Sequence, residues 1–362
     1  MWLSTTVYWT NHHHVNLARL LLSLHLTVTA VVSLLFFPPS TWGQVHPSVD
    51  PGISSYVFQE SVSGKLSISV SETIQPLVRT WVDGLGLQQP KLKVTVMSDG
   101  TENGLGTLLE HRTEMAAMSR RLTAAEITDF ILEYGSEPME IPVALDALAI
   151  FVHKDNPIAG LSLDDLDAMF CRERQRGVRY PVDSWGLVGV MDEWFEAPVR
   201  LYGRNGKSGT SYFFRKEVCK DGTFLPQLVD APGSASAVLD VGDDPEGIGF
   251  GTIRYRTTMV KPVPIAAVKG GRYVEPSLQT IMDSSYPLRR YVYFYVAKPP
   301  KGSPSPASAE LAHYALSRQG QQMAIDLGYF PLSLTEITRL TSKRSAASKP
   351  AQPETPNRPV AE

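Results

Sequence analysis

The sequence has 362 residues, of which 43% are hydrophobic and 20% are charged, which is the composition of a globular chain and argues against wholesale disorder. Two cysteines are too few for a small disulfide scaffold. The formal net charge of −3 gives no sign of the basic surface that nucleic-acid binding requires, although local donors can still hold an anion in a weakly acidic chain.

The first predicted element is an apolar segment at residues 20–37, which follows Arg19 and precedes a run of small and turn-forming residues ending at Gly43. This pattern is typical of a signal peptide, and we predict that residues 1–43 form one. The alternative is an uncleaved N-terminal anchor, because the segment is nearly long enough to span a bilayer. Both interpretations place the rest of the chain in the periplasmic or extracellular space.

A polar, turn-rich leader follows at residues 44–63, and strand and helix patterns alternate beyond it. Apolar residues alternate with polar ones at residues 66–70 and 92–96, which predicts two strands. Each is followed by apolar residues at helical spacing, at residues 74–82 and 105–109. The chain therefore begins as repeated strand–helix units.

Capping boxes predict the next helices. Thr123 with Glu126 predicts a helix that runs to about Tyr134, and Ser162 with Asp165 predicts another. The remaining predicted elements are a buried strand at 147–152, a short strand at 199–202, a helix at 211–219 and a strand at 291–297. This alternation predicts an α/β fold with largely parallel sheets.

The strand at 291–297 follows Pro287 and is predicted to cross back between two lobes. The sequence then divides into lobe 1 at residues 64–148 and 286–340, lobe 2 at residues 149–285, and a disordered tail at residues 341–362. The tail is predicted because Ser, Ala, Lys, Pro and Glu cannot bury enough apolar surface to order a chain.

Hydroxyl- and glycine-rich turns follow three of the predicted strands, at residues 71–73, 100–104 and 204–210, while Ser119 and Arg120 end a further apolar segment. The first N–H groups of a helix lack internal partners, glycine permits close approach, and arginine offers a planar fork to an oxyanion. Each turn alone is also typical of a helix cap or a plain connection. Their recurrence at strand ends predicts one site for a tetrahedral oxyanion.

The sequence lacks complete enzyme and metal-site patterns. A P-loop ending at residues 206–208 would need a glycine where Leu201 stands, and a nucleophile elbow at Ser208 would need a glycine where Thr210 stands. No two histidines beyond the apolar segment have metal-ligand spacing. The sequence therefore predicts no catalytic residue, no metal and no cofactor.

Cys171 and Cys219 leave two alternatives open. An exported chain could join them in one disulfide, whereas two buried free thiols are the more common arrangement and the one that the sequence favours.

The ordered motifs between about residues 64 and 334 resemble the phosphate-binding proteins of ABC transporters (the PstS-like family) within the type-2 periplasmic binding protein superfamily. The strings are short, but their order and spacing together are specific. They are residues 66–73 with Pro76, 100–105, 118–120, 146–152 with Asn156 and Pro157, 184–186, Arg204 with 208–210, 247–250, 286–290, 316–317 with 320–321, and 328–329 with 331–332.

The resemblance implies two α/β lobes joined by hinge strands, with inorganic phosphate or a similar oxyanion held between them. It also implies an ABC-transporter permease as partner; the receptor itself is expected to be a monomer. The implied ligand contacts are Ser71, Thr73, Thr101, Ser119, Arg120, Arg204, Ser208, Gly209 and Thr210.

The sequence departs from the family pattern at the loops. Arg120 stands where the family's best-studied branch has an aspartate that accepts the proton of hydrogen phosphate and so rejects sulfate. Glu72 and Glu102 are the candidate replacements, although both also suit a helix start. Two alternative functions remain: a diverged oxyanion sensor or interaction module without a transport role, and a phosphatase-like enzyme, for which no nucleophile–base pair is found.

Overall fold

The computed structural model describes residues 48–98, 104–204, 208–300 and 302–347. The predicted signal segment at residues 1–43 lies outside this part of the chain. Within the described residues, no helix combines the length and apolarity needed to cross a bilayer.

The strands are β1 (Gly64–Val70), β2 (Leu92–Met97), β3 (Met115–Met118), β4 (Met139–His153), β5 (Leu161–Ser162), β6 (Arg200–Arg204), β7 (Val229–Ala231), β8 (Gly247–Thr252), β9 (Val260–Pro262), β10 (Ile265–Ala266) and β11 (Arg289–Val296). The α-helices are α1 (Gln75–Gln88), α2 (Gly104–Leu109), α3 (Ala124–Tyr134), α4 (Leu163–Phe170), α5 (Gly209–Glu217), α6 (Ser234–Asp243), α7 (Leu278–Met282), α8 (Pro306–Leu316), α9 (Arg318–Asp326) and α10 (Leu334–Ala347).

The main sheet has the strand order β2-β1-β3-β11-β4-β8-β6-β7, with β9 also paired to β4. The first half of β4, residues 139–147, pairs with β11, and its second half, residues 148–153, pairs with β8 and β9. One long strand therefore belongs to both lobes, and the two-lobed α/β fold with hinge strands is confirmed.

The prediction of largely parallel sheets is correct only away from the crossing. The pairs β1–β2, β1–β3, β6–β7 and β6–β8 are parallel, whereas β11 and β4 pair antiparallel with each other and with β3, β8 and β9. The reason is that a chain that crosses between lobes and returns must run in opposite directions on its two crossing strands.

Local sequence signals place several elements correctly. Thr123 accepts from the N–H of Glu126 while the Glu126 carboxylate accepts from the N–H of Thr123, so the predicted capping box opens α3. Ser162 and Asp165 open α4 in the same way. β4 is longer than predicted because the apolar run used for it begins after Asp146, whereas the strand continues through that buried charge to the less buried residues before Val143.

Cys171 and Cys219 form a disulfide, so the preference for free thiols is wrong. Both residues are fully buried, one just after α4 and the other shortly after α5. Spacing in the sequence could not show this, because the two helix ends meet only when lobe 2 has folded.

Both predicted ends of the fold are more ordered than their composition suggested. Within the leader at residues 44–63, Ile53 and Tyr56 are buried, and Arg318 donates to the carbonyl oxygen of Ile53 at 3.0 Å. Helix α10 continues to Ala347, past the predicted start of the tail at residue 341, because the segment up to there contains Lys, Arg and Ala and no proline. Residues 348–362 lie outside the described chain.

Candidate functional site

The carboxyl ends of strands from the two lobes face each other. The end of β3 at Met118 is level with Pro142 of β4, whereas the end of β6 is level with the part of β4 near Ala149. Since β6 runs antiparallel to β3, their carboxyl ends point toward one another across this stretch of β4. Anion sites in α/β proteins form at such strand ends, where helices begin.

Lobe 1 brings two buried hydroxyls to this junction. Ser71 directly follows β1 and is 1% exposed, and Ser119 directly follows β3 and is 0% exposed. Neither hydroxyl has a hydrogen-bond partner in the described part of the protein. Buried polar atoms normally have a partner, so two unpartnered hydroxyls at neighbouring strand ends are typical of a site that a ligand completes.

Thr73 lies beside them but its backbone is already engaged with the other side of the junction. Its carbonyl oxygen accepts from Arg254 of lobe 2 at 2.7 Å and from the Tyr329 hydroxyl at 2.9 Å. Burial raises the pKa of Tyr329. Thr73 therefore holds the two lobes in register at the site.

Lobe 2 supplies a buried guanidinium at the end of β6. Arg204 is 3% exposed, and its Nη2 donates to Oε2 of Glu72 at 2.6 Å. Its Nη1 donates to the carbonyl oxygen of Pro232, while Nε has no partner in the described part of the protein. Glu72, with 61% of its side chain exposed, therefore places an anion on Arg204 from the opposite lobe.

Helix α5 begins shortly after the end of β6. Ser208 caps it by accepting from the N–H of Ser211 at 3.0 Å, and it donates to the Ser211 hydroxyl. Ser211 in turn donates to the Arg204 carbonyl oxygen at 2.6 Å. The first N–H groups of α5, at Gly209 and Thr210, lack intrahelical acceptors and carry the positive end of the helix dipole. Lobe 2 can thus offer backbone donors, whereas the Ser208 hydroxyl serves mainly the cap.

Arg120, also predicted as a ligand contact, is bound by a neighbouring carboxylate. Its guanidinium donates to both carboxylate oxygens of Glu126, at 2.7 and 2.8 Å, and lies 4.5 Å from the centre of the Tyr212 ring in lobe 2. Burial alone would lower the pKa of Arg120, but its hydrogen bonds to Glu126 outweigh this and the pKa is raised. The carboxylate lies six positions along the chain, at the start of α3, whereas Nε of Arg120 has no partner in the described part of the protein. The ligand role of Arg120 remains a prediction.

Of the other predicted contacts, Thr101 and Glu102 lie outside the described residues. An ion pair next to the site, between Asp146 of β4 and Arg290 of β11, was not predicted from the sequence. A charged residue within the otherwise apolar run at residues 143–152 was the signal that could have indicated it.

One cluster has the composition of a metal site. The potential ligand atoms of Asp167, Cys171 and Cys219 lie within 4.8 Å of one another. The two sulfurs form the disulfide, however, and metals in such sites bind thiolates. This cluster is consequently part of the lobe 2 core.

Several known sequences are similar to this chain over most of its length. Residues 59–319 match the model of a PBP superfamily domain. The phosphate-binding protein PstS of Pseudomonas aeruginosa is 38% identical over 285 residues, which cover 79% of this chain and 88% of that protein. Protein SphX of Synechococcus elongatus is 25% identical over 295 residues, covering 80% of this chain and 85% of that protein.

Solved structures support the fold. A possible phosphate-binding protein from Planctomyces limnophilus superposes with a TM-score of 0.61 at 23% identity, covering 80% of this chain and all of that one. A putative phosphate ABC transporter substrate-binding protein with bound phosphate, from Clostridium perfringens, gives a TM-score of 0.59 at 20% identity, covering 75% of this chain and all of that one.

Proposed function

The chain belongs to the PBP superfamily and, within it, to the family of the PstS proteins, and from this membership we propose that it captures inorganic phosphate between its two lobes and passes it to an ABC-transporter permease. The proposed ligand contacts are Ser71, Thr73, Ser119 and Arg120 of lobe 1 with Arg204, Ser208, Gly209 and Thr210 of lobe 2.

One observation supports this proposal most strongly. Ser71, Ser119 and Arg204 each keep a buried donor without a partner among the described residues, and all three stand at strand ends that face one another. A tetrahedral oxyanion can accept hydrogen bonds from several donors at once. These donors then take the place of the hydration shell that the anion loses on binding. Contacts from both lobes would favour the closed arrangement only when the ligand is present, which is how hinge-bending receptors respond.

The proposal is for a receptor and not an enzyme. The hydroxyl that comes nearest to a nucleophile motif, Ser208, bonds to Ser211 and caps a helix instead of bonding to a base. Activation of a serine nucleophile needs such a base within hydrogen-bond reach. We also propose that the protein is exported, because its first 43 residues have a signal-peptide pattern.

We assign selectivity for phosphate over sulfate to Glu72. The Glu72 carboxylate accepts from Arg204 Nη2 at 2.6 Å, so an oxyanion that binds Arg204 would lie close to that carboxylate. Two neighbouring anions repel unless a proton lies between them. Hydrogen phosphate carries that proton and sulfate does not. Glu102, the other candidate acceptor, lies outside the described residues.

The same contact favours one alternative function. In a diverged oxyanion sensor or interaction module, the Glu72 carboxylate would occupy Arg204 permanently and take the place of a ligand. Calorimetric titration of anion-free protein with phosphate and then with sulfate distinguishes the two. Phosphate binding with little response to sulfate is the expected result. Binding of neither anion would contradict the receptor function and favour the alternative.

A further inference from the structure

Two charged residues are completely buried where the chain crosses between the lobes. Asp146 of β4 and Arg290 of β11 are direct partners in the register of these antiparallel strands. Arg290 donates to Oδ2 of Asp146 from Nη2 at 2.8 Å and from Nε at 3.0 Å. The side chain of Arg290 is 2% exposed and that of Asp146 is 0% exposed.

Both carboxylate oxygens of Asp146 accept hydrogen bonds. While Oδ2 accepts from Arg290, Oδ1 accepts from the backbone N–H of Ala147 at 2.9 Å and from the Thr252 hydroxyl at 2.7 Å. Thr252 is the last residue of β8 in lobe 2. The carboxylate is therefore held from three directions, and it fixes the orientation of the planar guanidinium opposite it.

The other edge of this guanidinium faces the beginning of α5. Arg290 Nη1 lies 3.3 Å from the carbonyl oxygen of Gly209, and Nη2 lies 3.4 Å from Oγ1 of Thr210. The guanidinium also lies 5.4 Å from the centre of the Phe213 ring, one turn further along the helix. Arg290 thus touches the two residues whose N–H groups are proposed to bind the anion.

The contact with Arg290 determines whether the Thr210 hydroxyl acts as a donor or as an acceptor. Arginine has only donors, so Thr210 Oγ1 must act as the acceptor in this bond. The hydroxyl proton of Thr210 must then point away from Arg290, and Thr210 is fully buried at the end of the helix that faces the cleft. A hydroxyl fixed in this way is a donor that suits an oxyanion.

Stability does not account for the pair. Removing two charges from water is costly, and buried ion pairs can often be replaced by apolar residues of similar size without loss of stability. The geometry of this pair instead connects both crossing strands to the first turn of α5.

We propose that Arg290, oriented by Asp146, is a positioning residue of the anion site, which fixes the first turn of α5 and holds the Thr210 hydroxyl as a donor to the ligand. This inference rests on the proposed function, because it assigns a role to residues around the same anion.

The test is a double-mutant cycle measured by calorimetry with inorganic phosphate. The variant Asp146→Leu/Arg290→Met removes both charges together, so that neither is left unpaired in the core. Thr210→Val is made in the wild type and in this variant. Arg289→Met is the matched control, because the neighbouring Arg289 donates to Ile281 and Tyr291 and not to α5.

We expect Thr210→Val to weaken phosphate binding about tenfold in the wild type and in the Arg289→Met variant, as loss of one hydrogen bond to a charged group would. In the paired variant the same change should cost less than about twofold, because the hydroxyl is no longer fixed. A general loss of stability would not produce this difference.

Three results would overturn the inference: an equal cost of Thr210→Val in all backgrounds, no cost in the wild type, or full affinity in the paired variant. If the paired variant does not fold, Arg290→Lys replaces it, since an ammonium can still pair with Asp146 but lacks the fork that reaches α5. Wild-type protein that binds no phosphate would contradict the proposed function itself, so the two failures are distinguishable.

Discussion

Ser71 and Ser119 bury hydroxyls that find no partner in the described part of the protein. An unsatisfied buried polar group costs about 1–3 kcal/mol, which the ligand-free protein must carry. Such a cost is typical of functional sites, where binding groups are kept ready at the expense of stability.

Replacing either serine by alanine should affect ligand binding and not stability. Ser71→Ala and Ser119→Ala should each weaken phosphate binding by about 1.5–3 kcal/mol, or roughly 10- to 100-fold, because each removes a donor to a charged ligand. Neither change should lower the free energy of unfolding of the ligand-free protein. Calorimetry and urea unfolding measure the two quantities.

Ser67→Ala is the matched control, because Ser67 lies on the same strand but is only partly buried and remote from its carboxyl end. Unchanged phosphate affinity in both site variants would show that these hydroxyls do not touch the ligand.

Glu72 is the residue whose charge is expected to set selectivity. Glu72→Gln removes the proton acceptor but keeps the shape of the side chain, so sulfate should bind more tightly relative to phosphate, by about tenfold or more. Competition of the two anions is measured in the wild type and the variant. Glu133→Gln, which alters an exposed hydrogen bond with the His111 ring, serves as the control. An unchanged ratio of the two affinities would rule out Glu72 as the acceptor.

At the scale of elements, the start of α3 carries a pH-sensitive contact. Burial would raise the pKa of Glu126, but hydrogen bonds from Arg120 and from the backbone of Thr123 outweigh it and the pKa is lowered. A carboxyl whose pKa is lower in the folded state contributes stability above about pH 4.5, its ordinary value. That contribution is lost as the pH falls toward the lowered pKa.

Glu126→Gln should therefore reduce the free energy of unfolding by about 2 kcal/mol at pH 7, since glutamine keeps the capping box but leaves Arg120 without its counter-ion. The difference from the wild type should shrink as the pH falls below about 4.5. Urea unfolding between pH 3 and pH 7 measures this. A difference that is independent of pH would contradict the assignment.

The elements with strong local signals were predictable from the sequence. Capping residues and apolar periodicity located α3, α4, β1 and β2, because these signals act over only a few residues. The ends of β4 and the partner of Arg120 were not predictable, since both depend on residues that contact them from elsewhere. For the same reason the sequence left the disulfide open.

For the whole molecule, the family resemblance predicted two lobes joined by hinge strands, and the strand order confirms this. The contacts that join the lobes were not predictable. Arg204 with Glu72 and Arg254 with Thr73 link residues more than 130 positions apart, and no short motif records such pairs. The anion site itself remains a prediction, which the buried unpartnered donors support.

If the protein works as proposed, one oxyanion contacts both lobes at the same time. A crystal structure of the protein with arsenate, a phosphate analogue whose arsenic scatters anomalously, would locate that anion. We expect an anomalous peak within hydrogen-bond distance of Ser119 from lobe 1 and of Arg204 and the first turn of α5 from lobe 2. A peak on only one lobe, or elsewhere on the surface, would contradict this proposal.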